Sequence, residues 1–197
     1  AATIEEKLSN ANSVINTESG RYNVYGMEIV DSYSASSLTF QEAVEKSSNI
    51  GFVKLSQKLG AERFFKYARD FGFGIYTGVE LNGENRGYLK RPIDFTNGSL
   101  EYMSIGYQVS VNALQLTMAY SAIANNGMLM KPYILNKIVS PVGRILQESM
   151  PSPVRQVVSV ETAKELTRLL KGVVERGTGV DAKLEGISIA GKTGTTQ

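Results

Sequence analysis

The chain has 197 residues, of which 42% are hydrophobic and 20% charged, and its formal net charge is +2. These values are those of one globular domain, and the small charge without a Lys/Arg cluster argues against nucleic-acid binding. The absence of His and Cys excludes a Ser-His-Asp triad, a cysteine nucleophile and an ordinary zinc site. Acid–base chemistry must therefore come from Lys, Asp, Glu, Tyr or hydroxyl groups, and the sequence indicates neither a metal nor a cofactor.

The first part of the chain alternates short helical and extended patterns. Residues 1–8 have a helix-forming composition without an N-cap, and we interpret them as the tail of a helix. Residues 21–31 are rich in Tyr, Val and Ile around Gly26, which predicts an extended excursion or a short hairpin. Thr39-Phe-Gln-Glu42 forms a capping box. The helix that it begins is expected to stop at Ser47-Ser48-Asn49, because these residue types prefer caps and turns.

Helices are also predicted through the middle of the chain, with one long interruption. One helix ends at Gly60 and another covers about residues 62–71. Residues 72–87 are rich in glycine and predict a long loop, of the kind that lines sites or runs over surfaces. Asn112, with Gln115 three positions later, predicts the start of the next helix.

The last third is predicted to contain strands and one long helix. Residues 133–139 and 144–146 flank a turn at Ser140-Pro-Val-Gly143 and predict two strands. Pro151-Ser-Pro153 is interpreted as a linker. Ser159 is expected to cap a helix that runs to about residue 175.

A final strand is predicted near the end of the chain. Ile187 and Ile189 alternate with small residues, which is the period of a strand with one buried face. The alternation leads into Lys192-Thr193-Gly194, where a cation, hydroxyl groups and approachable backbone suit an anionic, amide-bearing ligand.

Two short patterns are candidates for a functional site, namely Ser47-x-Asn49 between helices and Lys192-Thr193-Gly194 on the predicted strand. Either alone has a plain structural explanation, since Ser-x-Asn forms helix caps and turns and Lys-Thr-Gly forms solvated turns. Together, and in this order, they are two of the three elements of a known active-site signature.

The same residues also match a nucleotide-binding pattern. Gly186-x-x-x-x-Gly191-Lys192-Thr193 satisfies the P-loop expression. That motif requires a strand before the first glycine and a helix that opens at the Lys-Thr. The predicted strand lies instead between the two glycines, so a P-loop is the least favoured reading.

The two triplets and their surroundings resemble the class B penicillin-binding proteins, which carry a D,D-transpeptidase domain. The resemblance extends from about residue 21 to the last residue, and residues 104–115 are most similar to the septal, cell-division members. The landmarks that carry it are Glu45-Lys-Ser-Ser-Asn-Ile-Gly51, Phe71-Gly-Phe-Gly74, Gln115, residues 119–127, Pro132, Gly177-Thr-Gly179 and Ala190-Gly-Lys-Thr-Gly-Thr195.

The resemblance implies an α+β fold of the β-lactamase/transpeptidase type, with a helical subdomain packed on an antiparallel sheet and the active site between them. It implies a mostly helical part over residues 39–130 and strands, a helix and the Lys-Thr-Gly strand over 131–197. Both ends of the family's domain are expected to be incomplete in this chain.

The resemblance also assigns roles. Ser47 relays a proton to the leaving nitrogen, and Asn49 hydrogen-bonds an amide of the substrate. Lys192 supplies positive potential near Ser47 and the substrate carboxylate. Three further residues bind the substrate: Thr193 holds the carboxylate, Gly194 leaves room for the peptide, and the Thr195 N–H forms half of an oxyanion hole.

The implied ligands are peptidoglycan stem peptides that end in D-Ala-D-Ala, and the β-lactams that mimic them. The implied setting is extracytoplasmic, in a parent protein anchored by a segment outside this chain and associated with cell-wall or cell-division partners.

One departure from the family leaves two interpretations open. The family's Ser-x-x-Lys element, which carries the acylated serine, is missing from its expected context. Residues 1–8 resemble the end of that helix, so the nucleophile is expected a few turns upstream of Ala1. The chain is then a segment of an enzyme that is inactive alone. The alternative is a penicillin-recognising sensor or scaffold that binds without turnover.

Overall fold

The computed structural model describes residues 1–194, so the oxyanion prediction for Thr195 lies outside the described residues. In this range there are seven α-helices and ten short strands, all of the paired strands being antiparallel. The helices are α1 (Ala2–Glu5), α2 (Phe40–Glu45), α3 (Asn49–Leu59), α4 (Ala61–Asp70), α5 (Ser99–Ser104), α6 (Ala113–Ala124) and α7 (Val160–Arg176).

The strands form five two-stranded ladders rather than one continuous sheet in the described range. The pairs are β1 (Val14–Asn16) with β4 (Ser37–Thr39), β2 (Arg21–Val24) with β3 (Met27–Val30), β5 (Tyr88–Leu89) with β6 (Val109–Ser110), β7 (Met128–Met130) with β10 (Pro153–Gln156), and β8 (Lys137–Val139) with β9 (Ile145–Glu148).

The predicted helix caps are confirmed. Thr39 and Glu42 satisfy each other's backbone N–H groups at the start of α2, at 2.8 and 3.2 Å. Asn112 and Gln115 do the same for α6, and the Ser159 hydroxyl accepts from the Thr162 N–H at the start of α7. At α3 the cap is Ser48, while Asn49 is the first helical residue.

The glycine-rich interruption is also confirmed, and one buried side chain fixes it. The Gln115 amide group donates to the carbonyl oxygens of Ile75 and Arg86, at 2.7 and 2.8 Å. Both ends of the loop are therefore tied to the first turn of α6.

Two predictions need correction in this part of the chain. The helix expected over residues 1–8 ends after Glu5, because Lys7 adopts a left-handed φ of 54° and the chain turns there. The linker assigned to Pro151-Ser-Pro153 is partly strand, since β10 begins at Pro153 and pairs with β7. Proline is compatible with the first residue of a strand, where its missing N–H costs no ladder bond.

Two hydrophobic clusters place the segment between α2 and α3. In the first, α2 and α3 pack against α7; its buried residues are Phe40, Val44, Leu55, Leu169 and Val173. In the second, the N-terminal half of α3 packs on the hairpin of β2 and β3; its buried residues are Val24, Ile29, Ile50 and Val53. The turn that joins α2 to α3 is thus held between α7 and the hairpin.

Candidate active site

The turn between α2 and α3 presents Ser47 in an uncommon backbone conformation. Its φ is 57°, in the left-handed region that non-glycine residues seldom occupy. The Ser48 N–H donates to the Ala43 carbonyl at 2.9 Å, which closes the end of α2 before α3 begins. Such conformations persist where surrounding contacts enforce them.

Asp31, at the end of the β2–β3 hairpin, supplies part of that enforcement. Its buried carboxylate accepts from the Ser48 hydroxyl at 2.5 Å and from the Ile50 N–H at 3.0 Å. The Asn49 amide group donates to the neighbouring Val30 carbonyl at 2.9 Å. The hairpin therefore fixes Ser48 and Asn49, the two residues that follow Ser47. The bond to Val30 uses one of the hydrogen-bonding groups of the Asn49 carboxamide.

The Lys192 segment is not a strand, contrary to the prediction. Leu184 and Ile187 form one isolated bridge, and residues 188–194 carry no ladder within the described part of the chain. The alternation of Ile187 and Ile189 is a strand pattern, but a strand also needs a partner. The Gly191 N–H donates instead to the Leu170 carbonyl of α7, at 3.1 Å.

Lys192 nevertheless reaches the α2–α3 turn. Its Nζ donates to the Ser47 hydroxyl at 2.7 Å, and the Thr193 carbonyl oxygen lies 3.1 Å from the same Nζ. The two residues are 145 positions apart in sequence. The two predicted triplets therefore meet in space.

The surroundings of Lys192 weaken its hold on its proton. Burial lowers the pKa of the Lys192 ammonium below its usual value of 10.5. Among residues 1–194, no carboxylate forms an ion pair with it. The site thus contains a partly desolvated cation, suited both to attracting an anion and to exchanging a proton with the hydroxyl that it contacts.

Thr193 also contacts Thr178, a residue to which no role was assigned from the sequence. The Thr193 and Thr178 hydroxyl oxygens lie 2.7 Å apart. Gly194 is exposed, and no atom of the other described residues lies within 4 Å of the place where its side chain would begin. The surface beside the Lys192 segment is therefore open to an extended ligand.

An apolar cavity of about 540 Å³ has Lys192 among its lining residues. Residues of α1, α3, α4, α6 and α7 line it, among them Phe52, Leu55, Phe64, Leu166 and Leu170.

The sequence predicted Ser47, Asn49, Lys192, Thr193 and Gly194 as site residues, and the structure connects three of them by hydrogen bonds. Lys192 contacts Ser47 directly and Thr193 through its backbone carbonyl. Asn49 lies in the same turn, with its amide directed to the hairpin. No group of three or more acidic side chains in the described range is placed to hold a metal ion.

The P-loop alternative finds no support in the geometry. No strand leads directly into Gly186, because the last regular element before it is a short 3₁₀ turn at residues 180–182. Residues 192–194 are not helical. The glycines and Lys192 therefore lack the strand and helix that a P-loop requires.

Comparison with solved structures identifies the class of fold. The whole chain superposes on penicillin binding protein 3 from Mycobacterium tuberculosis, solved with ampicillin, with a TM-score of 0.92 and 35% identity, covering 45% of that chain. It also superposes on a D,D-transpeptidase domain from Eggerthella lenta, with a TM-score of 0.91 and 26% identity, covering 51% of that chain. The predicted α+β transpeptidase-like class is confirmed.

The family is shown at the level of sequence as well. Residues 1–197 match the penicillin binding protein transpeptidase domain, and the chain belongs to this family. Over its own full length, the chain is 37% identical to penicillin-binding protein PbpB of Mycolicibacterium smegmatis. It is also 42% identical to stage V sporulation protein D of Bacillus subtilis, over 81% of its length. The chain spans 32% and 25% of those two relatives.

Proposed function

We propose that this chain is part of a peptidoglycan D,D-transpeptidase and forms the face of its active site that binds the D-alanyl terminus and relays the proton. The observation that carries the proposal is the 2.7 Å contact between Lys192 Nζ and Ser47 Oγ. It joins two of the family's sequence elements in one partly buried site with an open surface beside it.

The proposed reaction begins with a serine that lies on another part of the protein. Its oxygen attacks the penultimate D-Ala carbonyl, and the oxyanion that forms is stabilised by backbone N–H groups, which the family resemblance assigns in part to Thr195. The C–N bond then breaks, and the proton released by the serine reaches the leaving nitrogen through the Ser47 hydroxyl. An amine of a second stem peptide attacks the ester, which releases the serine and completes the cross-link.

The electrostatics of the site agree with these roles. The substrate ends in a carboxylate, and Lys192 is a cation with no carboxylate partner among the described residues. Thr193 offers a hydroxyl beside it. Because burial lowers the pKa of Lys192, its amine can share a proton with Ser47 at less cost than a solvated lysine could.

We assign the apolar cavity beside Lys192 to the serine-bearing helix, of which α1 is the tail. The cavity is lined in part by Ala1, Ala2 and Thr3, and it extends from there to Lys192. We expect the serine-bearing helix to continue from α1 into this cavity, which would place the serine near the lysine. The setting that we propose is the outer face of the cell membrane or the periplasm. No described helix is long and apolar enough to span a bilayer.

Labelling with a fluorescent penicillin tests this proposal. The longer parent protein is expected to form a covalent adduct, whereas the 197-residue chain alone is expected to form none, because it lacks the nucleophile. Peptide mapping by mass spectrometry locates the adduct. A serine-linked adduct within residues 1–197 would overturn the placement of the nucleophile.

A second measurement separates the enzyme from the sensor or scaffold. A parent protein that releases D-Ala from a D-Ala-D-Ala stem peptide is an enzyme. Acylation without any such release would identify the non-catalytic alternative.

The sequence of the parent protein provides a further test. An enzyme should carry Ser-x-x-Lys a few turns before Ala1. Saturable binding of ATP with Mg²⁺ by the chain would instead revive the P-loop reading.

A further inference from the structure

Glu45 is a buried carboxylate that the proposed chemistry does not use. It is the last residue of α2, two positions before Ser47, and it is only 7% exposed. Its Oε1 accepts from Gln41 Nε2 at 2.9 Å and from Arg176 at 2.6 Å. Neither partner has a hydrogen bond to Ser47 or Lys192 among the described residues, and Arg176 belongs to α7, so the carboxylate is bonded towards α7 rather than into the site.

Two glycines of the α7 end make room for Glu45. A Cβ atom on Gly172 would lie 2.2 Å from Glu45 Oε1, and one on Gly177 would lie 2.2 Å from the Glu45 carbonyl oxygen. Real Cβ atoms do not approach so closely. The end of α7 is therefore shaped to receive both the side chain and the backbone of this one residue.

A closed path of bonds runs from Glu45 through the site and back. The Glu45 carbonyl accepts from the Thr178 N–H at 3.0 Å, and the Thr178 hydroxyl meets the Thr193 hydroxyl at 2.7 Å. A peptide bond joins Thr193 to Lys192, whose Nζ donates a hydrogen bond to the Ser47 hydroxyl at 2.7 Å. Two peptide bonds complete the ring from Ser47 back to Glu45.

We propose that Glu45 is a positioning residue, which sets the distance between Ser47 and Lys192 by anchoring the end of α2 to Arg176 and to the Thr178 turn. This inference rests on the proposed function. A proton relay is sensitive to displacements of about 1 Å, which can cost about 10²-fold in rate. Charge-assisted hydrogen bonds to a buried carboxylate are strong enough to hold such a distance.

The chain offers a matched control for the test. Glu101 in α5 is 4% exposed and accepts from Gln57 Nε2 at 2.9 Å, as Glu45 does from Gln41. None of its bonds reaches the ring. Glu45→Gln and Glu101→Gln each keep the shape of the side chain and remove one buried charge. Because Glu45 also loses its ion pair with Arg176, each rate constant is compared with the melting temperature of the same variant, and a merely structural role predicts that the rate falls only in step with stability.

The experiment measures penicillin acylation of the longer parent protein, separated into non-covalent affinity and the acylation rate constant, together with the melting temperature. Glu45→Gln is expected to lower the rate constant about five- to tenfold and to change the affinity less than about twofold. Glu101→Gln is expected to change neither by more than about twofold. Glu45→Ala, paired with Glu101→Ala, should enlarge the effect if both variants fold.

The possible results distinguish failure of the positioning role of Glu45 from failure of the proposed function. A wild type that is acylated, with a Glu45→Gln rate constant within about twofold of it, would overturn the positioning role alone. Equal losses in both variants, in step with their melting temperatures, would also overturn it. A parent protein that is never acylated would overturn the proposed function, and the role of Glu45 with it.

Discussion

Replacement of Lys192 by methionine is expected to slow acylation of the longer parent protein by penicillin about 10²- to 10⁴-fold, the range that a positioned acid–base group contributes. Methionine keeps an unbranched apolar stem and lacks only the terminal position that the Nζ atom occupies. It removes the donor that lies 2.7 Å from the Ser47 hydroxyl and the positive charge for the ligand carboxylate. Rapid-quench labelling with a fluorescent penicillin measures the rate.

Stability provides the internal control for this variant. Burial lowers the pKa of Lys192, so the folded state disfavours the charged form, and this cost is present at all pH values below the lowered pKa. It is relieved as the pH rises towards the value of the unfolded chain. At neutral pH, Lys192→Met is therefore expected to leave the melting temperature unchanged or higher. Lys183→Met, at an exposed position in the same segment, should acylate at the wild-type rate. Wild-type acylation by Lys192→Met would remove the role assigned to the lysine.

Replacement of Asp31 by alanine is expected to lower the free energy of unfolding by about 2–4 kcal/mol, because it leaves two buried donors without an acceptor. These donors are the Ser48 hydroxyl and the Ile50 N–H. The turn that presents Ser47 in its left-handed conformation should loosen as well. Urea denaturation measures the stability loss.

Asp94 supplies the comparison for Asp31. It pairs with Arg91 at 2.9 Å on the surface, with 45% of its side chain exposed. Exposed ion pairs contribute about 0–1 kcal/mol, so Asp94→Ala should cost little. Asp31→Asn keeps one acceptor oxygen and should fall between the two. An Asp31→Ala variant no less stable than Asp94→Ala would contradict the role given to the hairpin.

Local capping signals in the sequence placed the starts of α2, α6 and α7. The capping boxes at Thr39 and Asn112 are made by residues three positions apart, so their bonds form wherever the helix does. The hairpin at residues 21–30 likewise depends on its own turn, where Tyr25 and Gly26 both adopt positive φ. These features need no distant partner.

Features that depend on distant partners were missed. The strand expected at Lys192 has no ladder among the described residues. Strand β10 was not predicted, because its partner β7 lies about 25 residues earlier in the sequence. Asp31, Glu45 and Thr178 act through contacts with other segments, so no local pattern marked them. Glu45 and Thr178 did lie within the family landmarks Glu45-Lys-Ser-Ser-Asn-Ile-Gly51 and Gly177-Thr-Gly179, but without a role of their own.

The meeting of Ser47 with Lys192 was predicted by family resemblance and not by spacing. Nothing in the intervening sequence indicates that α7 carries the Lys192 segment back to the end of α2. That placement arises from the packing of α2 and α3 on α7 and from the bond of Gly191 to Leu170. The chemistry of the site was therefore readable from residue types, whereas its geometry required the fold.

The most direct test is a crystal structure of the longer protein acylated by ampicillin. We expect the ligand to lie beside residues 192–194, with its carboxylate within hydrogen-bonding distance of Thr193 Oγ1 and its opened-ring nitrogen facing Ser47 Oγ. An acylated ligand on another face of the molecule, with Ser47 and Lys192 remote from it, would contradict the account.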